Sequence, residues 1–380
     1  MRKVFLYTNL LMLIFIFSIE PAYAQNLLNQ PESVAWDHIN DQWLVSNYAT
    51  GEIVAIDTTG EQSIFSNLLS STLGLKVTYG LVSRYGVMSY GSSLDTIGVF
   101  AKSADDLSSV LNIISGNDSH DATSTRERKY DYSTDLKQCS KNLKIGLPKE
   151  YFTEDVDPEI KKLVEEAAYA FEKEGHTVEK ISLPYTKYAI AAYYLSGISE
   201  VSANLARYDG IRYGYSDQEG EDIGSVYLNS RGKRFSDEAK RRIMVGTYAL
   251  SSGYYDAYYH KAQQTRTLLK QDFEKKFEKY DFIIAPVSPV LPFEIGENTD
   301  DPLKMWLVDA FTVTINPSGI PSLAVPCGFS KSGLPVGMQL IGPMFSEKLL
   351  LQIAYQYQKM TDWHLKRPEI TIDLPVQTGI

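Results

Sequence analysis

The chain has 380 residues, 44% hydrophobic and 22% charged, enough for a real core and for two or three average domains or one large α/β unit. A formal net charge of −10 argues against free-standing nucleic-acid binding, which needs a basic face. Two cysteines, Cys139 and Cys327, are too few for a disulfide framework, and the five histidines show no HxxxH spacing and no CxxC beside them, so no metal site is expected.

The chain opens with basic Met1-Arg-Lys3, an apolar stretch from Leu10 to Ile19, and Ala22-Tyr-Ala24. That order reads as a secretory signal cut before Gln25, and the apolar stretch is shorter than the ~20 residues a stable membrane span needs. Residues 1–24 therefore predict a periplasmic or secreted location. Pro31 to Asn67 divides into four short β runs, Ser33–Trp36, Trp43–Asn47, Glu52–Ile56 and Gln62–Phe65, separated by Asp/Asn/Gly/Thr turns. The P-E-S-V-A-x-D start followed by V-S-N resembles one blade of a gluconolactonase- or NHL-type propeller. Propellers close with ~4–8 blades and no second copy follows, so residues 25–70 are expected to form a single β segment, incomplete as a functional module.

From Gly74 the character changes, and residues 71–380 read as α/β. Leu143–Leu147 is a predicted strand; Asp157-Pro158-Glu159 then supplies an N-cap, a proline at N1 and an acid in the first turn. Ile160, Val164, Ala167, Ala168 and Phe171 share one helical stripe, Gly175 stops the helix, and His176–Leu183 returns as a strand, completing a βαβ unit. Glu238–Tyr280, punctuated by Gly246 and Gly253, predicts two or three helices. Asp281–Pro286 predicts a buried strand, and Ser346–Thr361 a final helix capped by Ser346. Between these, Ser322–Pro326 and Pro335–Ile341 are apolar runs joined by a turn in which Gly333 takes φ > 0. Runs apolar at nearly every position suit strands buried on both faces.

A series of motifs runs through this part: GLKVTYGLVSRYG from Gly74 to Gly86, Ser92-Ser-Leu-Asp-Thr-Ile-Gly98, Ser115-Gly-Asn-Asp118 with Asp121-Ala-Thr-Ser124, SANLARYDGIRYG from Ser202 to Gly214, Lys240-Arg-Arg-Ile-Met244, and Gly253-Tyr-Tyr-Asp-Ala-Tyr-Tyr259. In this order, from Gly74 to about His364, they resemble the amidase signature family, and within it the A subunits of the glutamine-dependent tRNA amidotransferases. Val99 departs from that pattern, which has proline there; a changed turn is expected. The resemblance implies the C-terminal portion of the amidase signature fold, a mixed sheet flanked by helices, here behind a short four-stranded β blade.

The resemblance also implies a serine nucleophile, a second serine joined by a cis peptide, and a lysine base, with backbone N–H groups forming an oxyanion hole. All belong upstream of the GLKxTYG motif. There the chain has Phe65-Ser-Asn-Leu-Leu-Ser-Ser-Thr-Leu73, with no Gly-Gly-Ser and no lysine between Lys3 and Lys76. No catalytic residue is assigned. Ser70 and Ser71 lack glycines around them, and Ser92-Ser93 with Lys102 is expected to be a structural turn. Removing the nucleophile from such a constellation costs on the order of 10⁶-fold in kcat, so the chain is expected to be inactive as an amidase.

Three substrate-binding roles carry over by motif: a tyrosine at Tyr193 (or Tyr194), an arginine for the carboxylate at Arg242 (or Arg241), and an aspartate for the ammonium at Asp309. No cofactor is implied for this chain; ATP and Mg would be used by a partner subunit in intact relatives. The implied partners are the other amidotransferase subunits and, through the complex, charged tRNA, in a cytoplasmic setting at odds with the export signal. A secreted binding or scaffold protein, and a rearranged chimera without function, are the alternatives.

Overall fold

The computed structural model describes the backbone of four strands within residues 31–66 and residues 72–126, 130–138, 141–293 and 307–366. The signal-like segment, Ser70, Ser71 and Cys139 lie outside the described residues. The chain divides into two compact units, Met1–Thr72 with Met360–Ile380, and Leu73–Lys359.

In the first unit, β1 (Pro31–Asp37), β2 (Gln42–Asn47), β3 (Ile53–Asp57) and β4 (Gln62–Ser66) form one antiparallel sheet in sequential order. Each lies within a residue or two of its expected run.

The second unit is built on a seven-stranded mixed sheet of order β6-β5-β10-β11-β9-β7-β8. Its strands are β5 (Leu73–Lys76), β6 (Val99–Ala101), β7 (Lys144–Pro148), β8 (Thr177–Ile181), β9 (Phe282–Pro286), β10 (Ser322–Phe329) and β11 (Pro335–Ile341). Only β7–β8 and β7–β9 are parallel. Val99 opens β6 opposite Leu75, so the departure from proline falls in a strand, where its N–H belongs to a ladder. The β10–β11 hairpin turns at Gly333, whose φ of 81° bears out its place in the turn.

Register separates two faces. Val99, Leu75, Leu323, Leu340 and Ile284 stand side by side across five strands, and none is more than 7% exposed. Helix α1 (Ala104–Ile114) follows β6, and α2 (Pro158–Lys173) presents the expected stripe to this side. Phe171 meets Phe282 edge-on at 6.1 Å and Tyr357 of α8 (Glu347–Met360) at 5.6 Å. Asp157 caps α2, accepting from Glu159 N at 2.7 Å. Ser346, the expected cap of α8, instead turns its hydroxyl to the Pro343 carbonyl at 2.7 Å.

The neighbouring row on the opposite face reads Phe100, Gly74, Ala324, Gln339, Ala285. At the β9 end it is sealed: Gln339 is buried because its amide donates to the Pro286 carbonyl at 2.8 Å and the Phe311 carbonyl at 3.3 Å. At the β6 end it opens, with Gly74 and Ala324 half-buried and Phe100 71% exposed. The expectation of burial on both faces, made for the two runs that became β10 and β11, is borne out at most of their positions, Ala324 being half-buried.

Four further helices complete this unit, α3 (Ala189–Leu205), α4 (Ile223–Arg234), α5 (Asp237–Leu250) and α6 (Lys261–Phe277), with one turn, α7 (Ile315–Ser318), before β10. Gly246 does not interrupt α5. It lies where α5 crosses α3 so closely that an added Cβ would come within 2.0 Å of the Ile198 carbonyl oxygen. Gly253 falls in the turn between α5 and α6. Cys327 is a buried free thiol in β10.

Candidate functional site

The site forms where α3, α5, the loop 88–95 and the turn after residue 308 converge. α3 supplies Tyr193 and Tyr194, both half-buried, their rings edge-on at 5.3 Å. Tyr193 also packs against the buried cluster of Ala189, Leu269 and Val313, which sets its height on the wall. α5 supplies Arg242, one turn before the Gly246 crossing. The crossing is further tied by Ser202 and Thr247, whose hydroxyls lie 2.7 Å apart.

Between the alternatives left open by the sequence, packing discriminates. Arg241 is exposed and, among the described residues, pairs with Glu238 within its own helix. Arg242 is half-buried: Nε donates to Glu238 Oε1 at 2.7 Å, and Nη1 donates to the Tyr90 hydroxyl. Burial works against its charge, but the bonds to Tyr90 and Glu238 outweigh that and raise its pKa further. Both tyrosines are pushed up, by burial first; Tyr90 and Asp309 add to this at Tyr193, and Asp309 and Tyr193 at Tyr194, while Arg242 opposes the shift in each. Arg242 and Asp309 thus each act on both Tyr193 and Tyr194, one from α5 and one from the turn after residue 308. Asp309 is exposed, and the protein around it raises its carboxyl pKa by desolvation. An arginine and an aspartate on one aromatic wall suit a zwitterion, with a carboxylate at one end and an ammonium at the other.

Sequence reading missed Tyr90, which touches Arg242, and the frame that holds it. Asp95 accepts from Tyr90 N and Gly91 N, both at 2.9 Å, and Asn204 donates to the Tyr90 carbonyl at 2.9 Å. Ser93 donates N–H and O–H to Glu200 at 2.9 and 2.5 Å, and Arg266 grips its hydroxyl and carbonyl at 2.5 and 2.8 Å. Ser92 and Ser93 are therefore turn residues held by Asn204, Glu200 and Arg266. The signal for Tyr90 was its place two residues before that turn. Among the described residues, no group of three or more His, Cys, Asp or Glu side chains is placed to hold a metal ion, and no helix is long and apolar enough to cross a membrane.

The family profile described as Amidase matches residues 69–351, and the chain belongs to that family. Within it the chain is similar to the A-subunits of glutamyl-tRNA(Gln) amidotransferases. It is 52% identical over 298 residues to the glutamyl-tRNA(Gln) amidotransferase A-subunit of a Sulfurihydrogenibium species, covering 78% of this chain and 61% of the relative. To its counterpart in Streptococcus thermophilus it is 44% identical over 347 residues, covering 88% and 70%. Among solved structures, the glutamyl-tRNA(Gln) amidotransferase A-subunit of Thermotoga maritima superposes with a TM-score of 0.61 at 35% identity, over 76% of this chain and 57% of that one. A bacterial aryl acylamidase of the family shares the fold, with a TM-score of 0.61 at 24% identity. The chain thus spans about 61% of the length of the first relative.

Proposed function

We propose that this chain presents the amino-acid-binding wall of a glutamine site and does not hydrolyse amides on its own. The observation that carries the reading is that Arg242 and Asp309 both act on the Tyr193–Tyr194 wall, joined to the relatives' designation as A-subunits of a glutamyl-tRNA(Gln) amidotransferase. Arg242 takes the α-carboxylate of glutamine, Asp309 its α-ammonium, and the tyrosines flank its carbon chain. The inactive reading is supported by the sequence: attack on an amide needs a nucleophile and a positioned base, and the stretch before Gly74 carries no Gly-Gly-Ser and no lysine between Lys3 and Lys76. In an assembled enzyme the ammonia would pass to partner subunits that use ATP and Mg to amidate charged tRNA, so partner and tRNA contacts belong to the complex.

Two measurements test this. Calorimetry with L-glutamine should show binding that Arg242→Gln and Asp309→Asn each weaken about tenfold or more. Ammonia release from L-glutamine should stay at the blank rate. Release that a glutamine-directed covalent analogue blocks would overturn the inactivity.

Ala22-Tyr-Ala24 favours a second reading, a secreted binding or scaffold protein. Recovery of the chain in a periplasmic or culture fraction, starting at Gln25, would support it. A chimera without selected function remains the third reading, and sequencing the source DNA across codons 66–74 tests it.

A further inference from the structure

The Tyr90 hydroxyl sits on Arg242 in a way that changes what the guanidinium can offer. Arg242 spends Nε on Glu238 and Nη1 on Tyr90, and among the described residues Nη2 makes no hydrogen bond. With Nε taken by Glu238, a carboxylate cannot take the two-pronged grip on the Nε–Nη2 edge of the guanidinium without displacing that partner. Displacing Tyr90 is opposed from both sides of its peptide, since Asp95 holds its N–H and Asn204 its carbonyl, each at 2.9 Å.

A phenol that accepts from an arginine still has its own O–H to give. The cation polarises that O–H, making it the stronger donor. Tyr90 is 40% exposed, so ligand can reach it. Nη2 and the phenol O–H are then neighbouring donors, one on each residue of the pair.

We propose that Tyr90 is the second arm of a mixed Arg–Tyr clamp for the ligand's carboxylate: one carboxylate oxygen accepts from Arg242 Nη2 and the other from the Tyr90 hydroxyl. This rests on the amino-acid-site reading above and deepens it. The clamp needs an acceptor at both positions, which defines the ligand class as free α-amino acids with an unblocked carboxylate. An α-carboxamide places an N–H₂ donor against one of the two donors and is rejected. Glu238 acts through Arg242 as a positioning residue, holding Nε so that Nη2 faces outward.

The test compares L-glutamine with L-glutaminamide, its α-carboxamide, by calorimetry on the full chain and on Tyr90→Phe, which keeps the ring. The wild-type chain should prefer L-glutamine. Tyr90→Phe should lose about tenfold for L-glutamine, the size of one charge-assisted hydrogen bond, and change little for L-glutaminamide, so that selectivity collapses. Unchanged L-glutamine affinity, or equal loss for both ligands as a packing role would produce, overturns the clamp and leaves the site reading standing. A wild-type chain that binds neither ligand overturns the site reading and the clamp with it.

Discussion

The two faces of the seven-stranded sheet are made by the same strands and differ in what lies over them. On one, the row Val99, Leu75, Leu323, Leu340, Ile284 is buried from edge to centre, with α1 against β6 and α2 over β9 to β11. On the other, the same strands offer Phe100, Gly74, Ala324, Gln339 and Ala285, and only the β9 end is covered. The sealed face is large and apolar throughout, whereas the open end sets an exposed Phe100 beside Gly74 and Ala324 and includes Lys76, opposite Ser322 in the register. Alternation decides which residues share a face, but the layer above decides what each face contributes to stability.

The largest test of this contrast is Leu340→Ala. Leu340 is fully buried, and its truncation should cost about 2–5 kcal/mol in urea unfolding; a cost below about 1 kcal/mol would mean the covered face is not the packed one. Lys76→Met probes the open end. Burial pushes the Lys76 amine down to about 7, a push that Glu347 resists and Arg266 adds to. Its folded pKa is thus depressed below the unfolded value of ~10.4, so the fold favours the neutral amine and stability falls as pH drops from about 10 to 7. Buried Glu347, which accepts from Thr78 N at 2.6 Å, is raised by burial, so its contribution is full in acid and is lost as pH rises through its folded pKa. Lys76→Met should flatten the slope between pH 7 and 10 and stabilise at pH 7 by on the order of 1–2 kcal/mol, the part exposure of Lys76 keeping this modest. Unfolding curves at three pH values check it, and an unchanged slope would show that Lys76 is not the group responsible. Phe100→Ala should have the smallest effect, within about 0.5 kcal/mol, because a ring 71% exposed leaves little packing to lose. A larger loss would show that the ring's contact with Gly74 secures the β6 edge.

Much of this was readable from residues alone. The stripe and Asp157 cap of α2, the Gly333 turn and the β7–α2–β8 unit all rest on local chemistry. What could not be read depends on neighbours distant in sequence. Gly246 looked like a helix break and proved to be a crossing, because only the approach of α3 distinguishes the two. The burial of Gln339 in an apolar strand depends on the Pro286 and Phe311 carbonyls, which are distant in sequence. The choice of Arg242 over Arg241 turned on which side of α5 faces Tyr90. Tyr90 itself carries no motif of its own, and its role exists only once α5 and the 88–95 loop meet.

The Gly246 crossing has a consequence for the wall it supports. Any side chain at position 246 would force α3 and α5 apart, and the Ser202–Thr247 hydroxyl contact ties the same crossing. The aromatic rungs on one and the guanidinium on the other therefore travel as a single rigid lever, so ligand arrival can rearrange the loops around them while their spacing stays constant.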